Sequence, residues 1–273
     1  KRIVERTPMS RARTSTFLLT LAVLLNSTLA TAQLDELPLI AAVKAGDTDQ
    51  VRALIGLHAD MNVTEVDGTT ALHWAAHLGH ESIALMLLEA GADAGATTRY
   101  GIAPISLAAT NGSTALLKVL LDGGADPNHT TGEGETPLMT AARAGIVSAI
   151  ELLLSRGAKV DSVEGWRGQT ALMWAASENN AAAVSVLVSN GANLHAVSEG
   201  GFTPVLFASR EGNLVALDTL LEAGGNPDDV LPNGTSALGR VKHACLANFR
   251  SSCCCRCLHI CNLCCFSIFK SLC

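Results

Sequence analysis

The chain has 273 residues, of which 19 are basic and 25 are acidic, and its formal net charge is −6 at pH 7. Without residues 1–32 and 245–273, which hold much of the positive charge, 11 basic and 24 acidic residues remain, a net charge of −13. A surface this negative repels phosphate backbones, so it argues against a nucleic-acid partner and favours a basic protein partner or simple solubility.

The first part of the chain has the pattern of an export signal. Residues 9–32 contain a basic start, a short apolar run over 17–25 and small residues before a cleavage site, as in a secretory signal peptide. The apolar run is too short to span a membrane, so no stable membrane anchor is expected. The pattern predicts a mature chain that begins at Gln33 and is secreted or periplasmic, although an incidental apolar start is the alternative. Residues 1–8 are interpreted as upstream sequence that is not native to the protein.

After this segment one sequence pattern returns every 33 residues, with a single step of 34. The copies open at a Pro or Ala, namely Pro38, Ala71, Pro104, Pro137, Ala171, Pro204 and Ala237. A fixed period of this length predicts a solenoid, in which each unit buries its apolar side against its neighbours.

Each copy contains the local signals of two helices. A threonine that can cap a helix precedes the opening residue at Thr70, Thr136, Thr170 and Thr203. Alanine pairs allow close helix approach at Ala75-Ala76, Ala108-Ala109, Ala141-Ala142 and Ala175-Ala176. Leucine pairs form the apolar stripe of a second helix at Leu87-Leu88, Leu120-Leu121, Leu153-Leu154 and Leu220-Leu221. Glycine ends most of these helices, and Asn179 and His58 stand in its place at two of the expected ends.

The fullest copy runs from Asp67 to Asp93, and it resembles the ankyrin repeat in its Asp-Gly-Thr-Thr-Ala-Leu-His-Trp-Ala-Ala start, its Gly-His, its Leu-Leu and its Gly-Ala-Asp end. The resemblance implies an all-α solenoid of about six helix-turn-helix repeats with short β-turn fingers. It places the repeat domain at 33–238, with repeats near 37–66, 67–99, 100–133, 134–167, 168–200 and 201–232 and a partial seventh at 233–238. The function it implies is that of a non-catalytic scaffold for protein–protein interaction.

The end of the chain follows a different pattern. All nine cysteines lie between Cys245 and Cys273, and the repeat pattern stops before them. We interpret residues 239–273 as a Cys-rich tail that arises from a shifted reading frame or a fusion, or that is disordered. The alternative is a disulfide or metal–thiolate cluster, which would make this a metal- or redox-active protein. The short spacing of the cysteine pairs and their odd number argue against that alternative.

Chemical motifs give little sign of catalysis. His73, His77 and His80 have a spacing that suits a metal site, but such a site would also need carboxylate or thiolate ligands nearby, so a structural role is favoured. The resemblance implies that His73 and His80 form hydrogen bonds between loops instead. Nucleophile and phosphate-binding motifs are also missing, so we expect no enzyme activity, no metal and no cofactor.

The candidate partner-binding residues are aromatic or basic. One column of the first helices contains Trp74, Trp174 and Phe207, which either pack between copies or form an exposed aromatic line on the concave face. The loop tips add Tyr100, Trp166, Arg167 and Phe202, residue types that anchor many interfaces. The 34-residue step predicts an extra residue between Ser162 and Gly168, which would lengthen the finger that bears Trp166. An inhibitor or immunity-type binder of an exported enzyme is a further interpretation with the same fold.

Overall fold

A computed structural model describes residues 37–231, 233, 234 and 236, and the helices in this part of the chain form six consecutive pairs. The first helices are α1 (Pro38–Ala45), α3 (Ala71–Leu78), α5 (Pro104–Asn111), α7 (Pro137–Ala144), α9 (Ala171–Ser177) and α11 (Pro204–Glu211). The second helices are α2 (Thr48–Gly56), α4 (Glu81–Glu89), α6 (Thr114–Asp122), α8 (Val147–Ser155), α10 (Ala181–Ser189) and α12 (Leu214–Glu222). The prediction of an all-α solenoid with about six repeats is confirmed. The predicted signal peptide at 9–32 and the Cys-rich tail at 239–273 lie outside the described residues.

The predicted threonine caps begin four of the first helices. In each, the hydroxyl oxygen accepts the backbone N–H three residues later, at 3.3 to 3.4 Å, and the four caps are Thr70, Thr136, Thr170 and Thr203. Such a bond satisfies one of the N–H groups that an isolated helix start leaves unpaired. Helix α5 follows Ala103, which provides no side-chain cap.

Asn179 adopts the glycine conformation predicted for it, and so does His58, which departs from the glycine pattern and marks the first copy as an atypical N-terminal cap in the sequence. Asn179 follows α9 with a φ of 59°, and His58 follows α2 with a φ of 57°, both in the left-handed region. Glycine occupies the equivalent ends in the other copies because only it adopts this region without a steric penalty. The first copy therefore ends its second helix as the others do, although its residue there differs.

The core runs through the whole stack, from copy to copy. Each first helix packs against the first helices of the adjacent copies, and each second helix packs against the adjacent second helices. All eight side chains of the predicted alanine pairs are fully buried, which lets the helices approach closely. In each leucine pair the first member is also fully buried, namely Leu87, Leu120, Leu153 and Leu220. Burial thus depends on neighbouring copies, as the repeat pattern predicts.

Candidate protein-binding surface

Short fingers join the helix pairs and form a continuous row beside the first helices. We number them 1 to 5 at residues 64–69, 97–102, 130–135, 163–169 and 197–202. One backbone hydrogen bond links each finger to the next, from Arg99 to Asp67, from Gly132 to Tyr100, from Gly165 to Glu133 and from Glu199 to Arg167, at 2.8 to 3.3 Å. We call the surface formed by these fingers and the exposed side of the first helices the first-helix face.

Finger 4 is one residue longer than its neighbours. Its closing hydrogen bond runs from the N–H of Glu164 to the carbonyl of Gln169, five residues later. The matching bond in finger 2 runs from Thr98 to Ile102, and fingers 1, 3 and 5 also span four residues. The prediction that the extra residue falls between Ser162 and Gly168 is confirmed.

The buried carboxylate of Glu164 holds finger 4 in shape. It accepts the backbone N–H groups of Trp166 at 2.6 Å, Arg167 at 2.8 Å and Gln169 at 3.2 Å. Hydroxyls of Thr98 and Ser198 accept N–H groups in fingers 2 and 5, but a hydroxyl is too short to reach across the wider turn. Sequence reasoning missed Glu164, and the 34-residue step was the signal that could have revealed it.

Replacing Glu164 with alanine should release finger 4. Three N–H groups lose their acceptor, so we expect amide hydrogen exchange at Trp166 and Arg167 to speed up by about tenfold or more, because a bond to a charged acceptor contributes roughly 1.5–3 kcal/mol. Residue-resolved exchange followed by NMR measures this. The matched control is Glu133→Ala, which removes an exposed carboxylate from finger 3. Equal exchange in the two variants would show that Glu164 does not hold the finger.

Aromatic rings stand exposed on two fingers. The Trp166 side chain is 71% exposed, and the guanidinium of Arg167 lies 4.4 Å from the centre of its ring. Tyr100 is 61% exposed, with the Arg99 guanidinium 5.1 Å from its ring. Trp166 does not fold back onto its own hairpin, so packing within the finger does not explain the residue. A cation held over an aromatic face limits the motion of both side chains.

The two phenylalanines of the sixth copy pack against each other instead of facing solvent. Phe207 is only 3% exposed, and its ring centre lies 5.2 Å from that of the half-buried Phe202. The Arg210 guanidinium covers both rings, at 4.8 and 5.0 Å. The expectation that Phe207 belongs to an exposed aromatic line is therefore wrong, because finger 5 supplies an aromatic partner that buries it.

The two tryptophans of the first helices are half-buried and lie beside a basic side chain. Lys44 Nζ is 4.3 Å from the ring centre of Trp74, and the Arg143 guanidinium is 5.0 Å from that of Trp174. The indole N–H of Trp74 donates to a carboxylate oxygen of Glu65 at 2.9 Å. Both tryptophans pack against the core of the stack and remain partly exposed.

The three histidines do not converge on a common point. His73 is buried, its Nε2 donates to the carbonyl of Ile102 in finger 2, and its Nδ1 accepts from Thr70. His77 is exposed and meets the Trp74 ring edge-on at 5.9 Å. In residues 37–231, no three His, Cys, Asp or Glu side chains lie close enough together to hold a metal ion. His73 therefore forms the loop-to-loop hydrogen bond that the family resemblance implies.

Acid should destabilise the protein through His73. Burial is the main reason that its pKa lies below the ordinary histidine value, and the bond to Ile102 offsets this in part. Between the folded pKa and the ordinary value, the unfolded chain binds more protons, so stability falls as the pH drops through that window. Urea denaturation between about pH 7 and pH 5 measures the slope. His73→Gln should reduce it, whereas the exposed control His77→Gln should not, and equal slopes in both variants would contradict the assignment.

No helix among the described residues combines the length and apolar character that crossing a bilayer demands.

Beside Tyr100 an open groove of about 660 Å³ lies between fingers 2 and 3, with Arg99, Thr131 and Glu133 among its lining residues. The first-helix face thus has an open, shallow groove and exposed aromatic side chains at its finger tips. This shape suits contact with another macromolecule better than enclosure of a small molecule.

Parts of this chain are similar in sequence to known proteins. Two curated relatives match short stretches: the 60 kDa lysophospholipase of Mus musculus is 42% identical over 52 residues, and the neurogenic locus notch homolog protein 1 of Danio rerio is 41% identical over 56 residues. These matches cover 19% and 20% of this chain, and only 9% and 2% of the relatives. The chain thus spans a small part of the curated relatives that it matches.

Solved structures match over much more of the chain. The ankyrin repeat domain of Bcl-3, described as a member of the IkappaB protein family, has 28% identity and a TM-score of 0.68 over 75% of this chain and 93% of that one. The human ASB11 ankyrin repeat domain has 27% identity and a TM-score of 0.68 over 78% and 97%. The family model for ankyrin repeats in three copies matches residues 15–98, 105–197 and 161–231. The paired helices, the linked fingers and these matches together show that the chain belongs to the ankyrin-repeat family.

Proposed function

We propose that this protein is a non-catalytic scaffold that binds a partner protein in an exported compartment, secreted or periplasmic. Finger 4 is the observation that supports a binding role most directly. It places Trp166 in solvent beside Arg167, and the buried Glu164 fixes the backbone under both residues. A large apolar ring is costly to expose, and a fixed support reduces the entropy lost when a partner covers it.

The contact surface of this proposal is the first-helix face of copies three to six. Tyr100 and Arg167 lie on fingers that backbone hydrogen bonds join through finger 3, so residues far apart in sequence share one ledge. Tryptophan, tyrosine and arginine are the residue types that most often dominate binding energy. Trp174 and Phe202 add half-buried rings to this contact surface, whereas Trp74 lies on the same face in copy two, outside it.

Charge supports a partner with a basic surface. The segment between residues 33 and 244 has a net charge of −13, which attracts positively charged proteins over distances of about one Debye length, roughly 8 Å at physiological ionic strength. Such attraction mainly speeds association, whereas the buried aromatic contacts set the lifetime of the complex. Rising salt should therefore slow association.

Two observations support the absence of catalysis. The buried His73 uses both ring nitrogens in hydrogen bonds with Thr70 and Ile102, so it is not available as a general base. One matched relative is named a lysophospholipase, but the match covers only 9% of that protein. This chain matches the ankyrin-repeat family model, and repeats of this family act as interaction scaffolds.

Export is the finer part of the proposal, and it rests on the three regions of segment 9–32. We expect mass spectrometry of the N-terminal peptide of the exported protein to place its start at Gln33. A variant with Arg11 and Arg13 changed to glutamate should export poorly, since the basic start is part of the signal. Recovery of the wild-type protein only in the cytosol with residues 9–32 intact would contradict export and leave the binding role unaffected.

The binding role is tested by capture from the exported fraction with the full chain as bait. We expect a protein that the wild-type chain and Val66→Ala retain and that Trp166→Ala loses, because Val66 is fully exposed on finger 1 and outside the proposed surface. If every captured protein also binds the Trp166 variant equally well, finger 4 is not the contact.

A further inference from the structure

Two places on the first-helix face, three repeats apart, each combine a basic residue, a glutamate and a tryptophan. Lys44, Glu65 and Trp74 form the first set, and their counterparts are Arg143, Glu164 and Trp174. In both sets the basic residue lies in the last turn of a first helix, the glutamate begins the closing hydrogen bond of the next finger, and the tryptophan lies on the next first helix. The contacts of the basic residue, the glutamate and the tryptophan can therefore be compared directly between the two sets.

The first set is complete. One carboxylate oxygen of Glu65 lies 2.7 Å from Lys44 Nζ, and the other accepts the indole N–H of Trp74 at 2.9 Å. Lys44 Nζ also lies over the Trp74 ring, 4.3 Å from its centre. The carboxylate thus joins the cation to the indole and satisfies both donors.

The second set lacks its carboxylate. Glu164 is turned away to accept the N–H groups of finger 4, and the indole Nε1 of Trp174 is buried without a hydrogen-bond partner in the described structure. The Arg143 guanidinium lies 5.0 Å from the Trp174 ring centre and pairs with Glu135 at 3.6 Å, a longer contact than that between Lys44 and Glu65. Native proteins pair nearly all buried donors, so an unpaired indole N–H calls for an acceptor.

The different finger lengths explain why Glu164 is withdrawn. In finger 1, Asp67 accepts the N–H of Thr69 at 3.0 Å, which leaves Glu65 free to turn toward the helices. Finger 4 has Trp166 and Arg167 where finger 1 has Asp67, so no short acceptor stands at its tip. Glu164 satisfies the finger, and the Trp174 indole N–H is left without the carboxylate that its counterpart has.

We propose that an aspartate or glutamate side chain of the partner protein fills this place, with one carboxylate oxygen on the Trp174 indole N–H and the other on Arg143. This site rests on the proposed binding function and names the chemistry that the partner brings to it. A carboxylate is the group that satisfies both donors at once, as Glu65 does in the first set. The partner remains basic overall, since one acidic side chain at this point leaves the long-range attraction to the net charge of −13 intact.

A carboxylate reaches the Trp174 indole N–H only if the side chains around it move, and Arg143 is the one that would bind the same carboxylate. The Trp174 indole nitrogen is shielded from solvent, whereas the Arg143 side chain is 40% exposed and held by one long ion pair. An incoming carboxylate attracts the guanidinium and moves it with itself to the ring edge. Finger 4, which bears Trp166, leads directly into α9, which bears Trp174, so the acidic contact and the Trp166 contact fall within one interface. The expected recognition element is therefore an acidic residue close to an apolar one.

The test follows the three indole N–H resonances of the full chain by ¹H–¹⁵N NMR, assigned with Trp→Phe variants at 74, 166 and 174. The probes are a blocked peptide of three glutamates and a matched peptide of three glutamines, at millimolar concentration. We expect the glutamate peptide to shift the Trp174 indole resonance and to leave that of Trp74 in place, because Glu65 already occupies the first set. Arg143→Gln should weaken the response about tenfold, the loss that one charge-assisted hydrogen bond produces.

Glu65→Ala provides an internal positive control, because it opens the equivalent place beside Trp74, and that resonance should then respond to the glutamate peptide. Three results would overturn the proposal: no shift at Trp174, an equal shift with the glutamine peptide, or a shift of the Trp174 resonance in peptide-free Glu164→Gln as large as that of Trp74 in Glu65→Gln. The last result would mean that Glu164 is the acceptor in solution. None of these measurements needs the partner, so a failure here is separate from a failure of partner capture.

Discussion

Replacing Trp166 with alanine should weaken partner binding by roughly thirtyfold or more and leave the melting temperature almost unchanged. Truncating an interface tryptophan commonly costs about 2 kcal/mol or more of binding free energy, and 1.4 kcal/mol corresponds to a factor of ten in affinity. The fold does not depend on this ring, because it is 71% exposed and because the finger is held by backbone bonds to Glu164. Titration calorimetry with the captured partner and thermal melting give the two quantities.

The matched control for this prediction is Val66→Ala. Val66 is fully exposed at the tip of finger 1, so its truncation removes apolar surface from a finger outside the proposed contact. We expect that control to bind within about twofold of the wild-type chain, as residues outside hot spots do. If Trp166→Ala instead unfolds the protein, the ring supports the finger, and the proposed contact has to move elsewhere on the first-helix face.

Replacing Leu120 with alanine should lower the free energy of unfolding by about 2–5 kcal/mol, the range for truncating a fully buried leucine. Leu120 lies in α6, which packs against α4, α5 and α8, so the cavity weakens contacts within the third copy and with both neighbours. In a solenoid these interfaces supply most of the stability, because a single copy cannot bury its own apolar side. Urea denaturation followed by circular dichroism measures the change.

Leu85→Ala is the control for Leu120→Ala. Leu85 lies in α4, a second helix, and is 46% exposed. Its replacement is therefore the same leucine-to-alanine change at a position outside the core. We expect it to change the unfolding free energy by no more than about 0.5 kcal/mol, as most surface substitutions do. Equal effects of the two variants would mean that the stack does not derive its stability from the buried leucine line.

Local features of the fold could be predicted because each depends on few neighbouring residues. The threonine before the opening Pro or Ala of a copy caps its helix through a bond to a backbone N–H only three residues away, as Thr136 and Thr203 do. The left-handed end at Asn179 follows from its place in a series of glycines, whereas His58 departs from that series and only the structure shows that it adopts the same conformation. The longer finger 4 follows from the one irregular step in a regular spacing, because an insertion in a repeat has to emerge in a loop.

The candidate site could be predicted only in part, because repeat equivalence does not fix side-chain contacts. Phe207 lies in the same column as Trp74 and Trp174, yet it is buried because Phe202 stands on the adjoining finger. Exposure of a ring depends on what the neighbouring finger presents to it. The column pattern gives no information on that neighbour.

Repetition in the sequence by itself determined the helices, their ends, their number in the described part of the chain and the position of the longer finger. These features depend on interactions between residues that are close together in the chain. Tertiary structure alone decided how equivalent side chains are used. Glu65 and Glu164 occupy the same place in their repeats, but Glu65 joins Lys44 to Trp74, whereas Glu164 caps the tip of finger 4. The physical reason is competition for one carboxylate between finger amides and an indole N–H, whose outcome depends on distances that exist only once the copies have stacked.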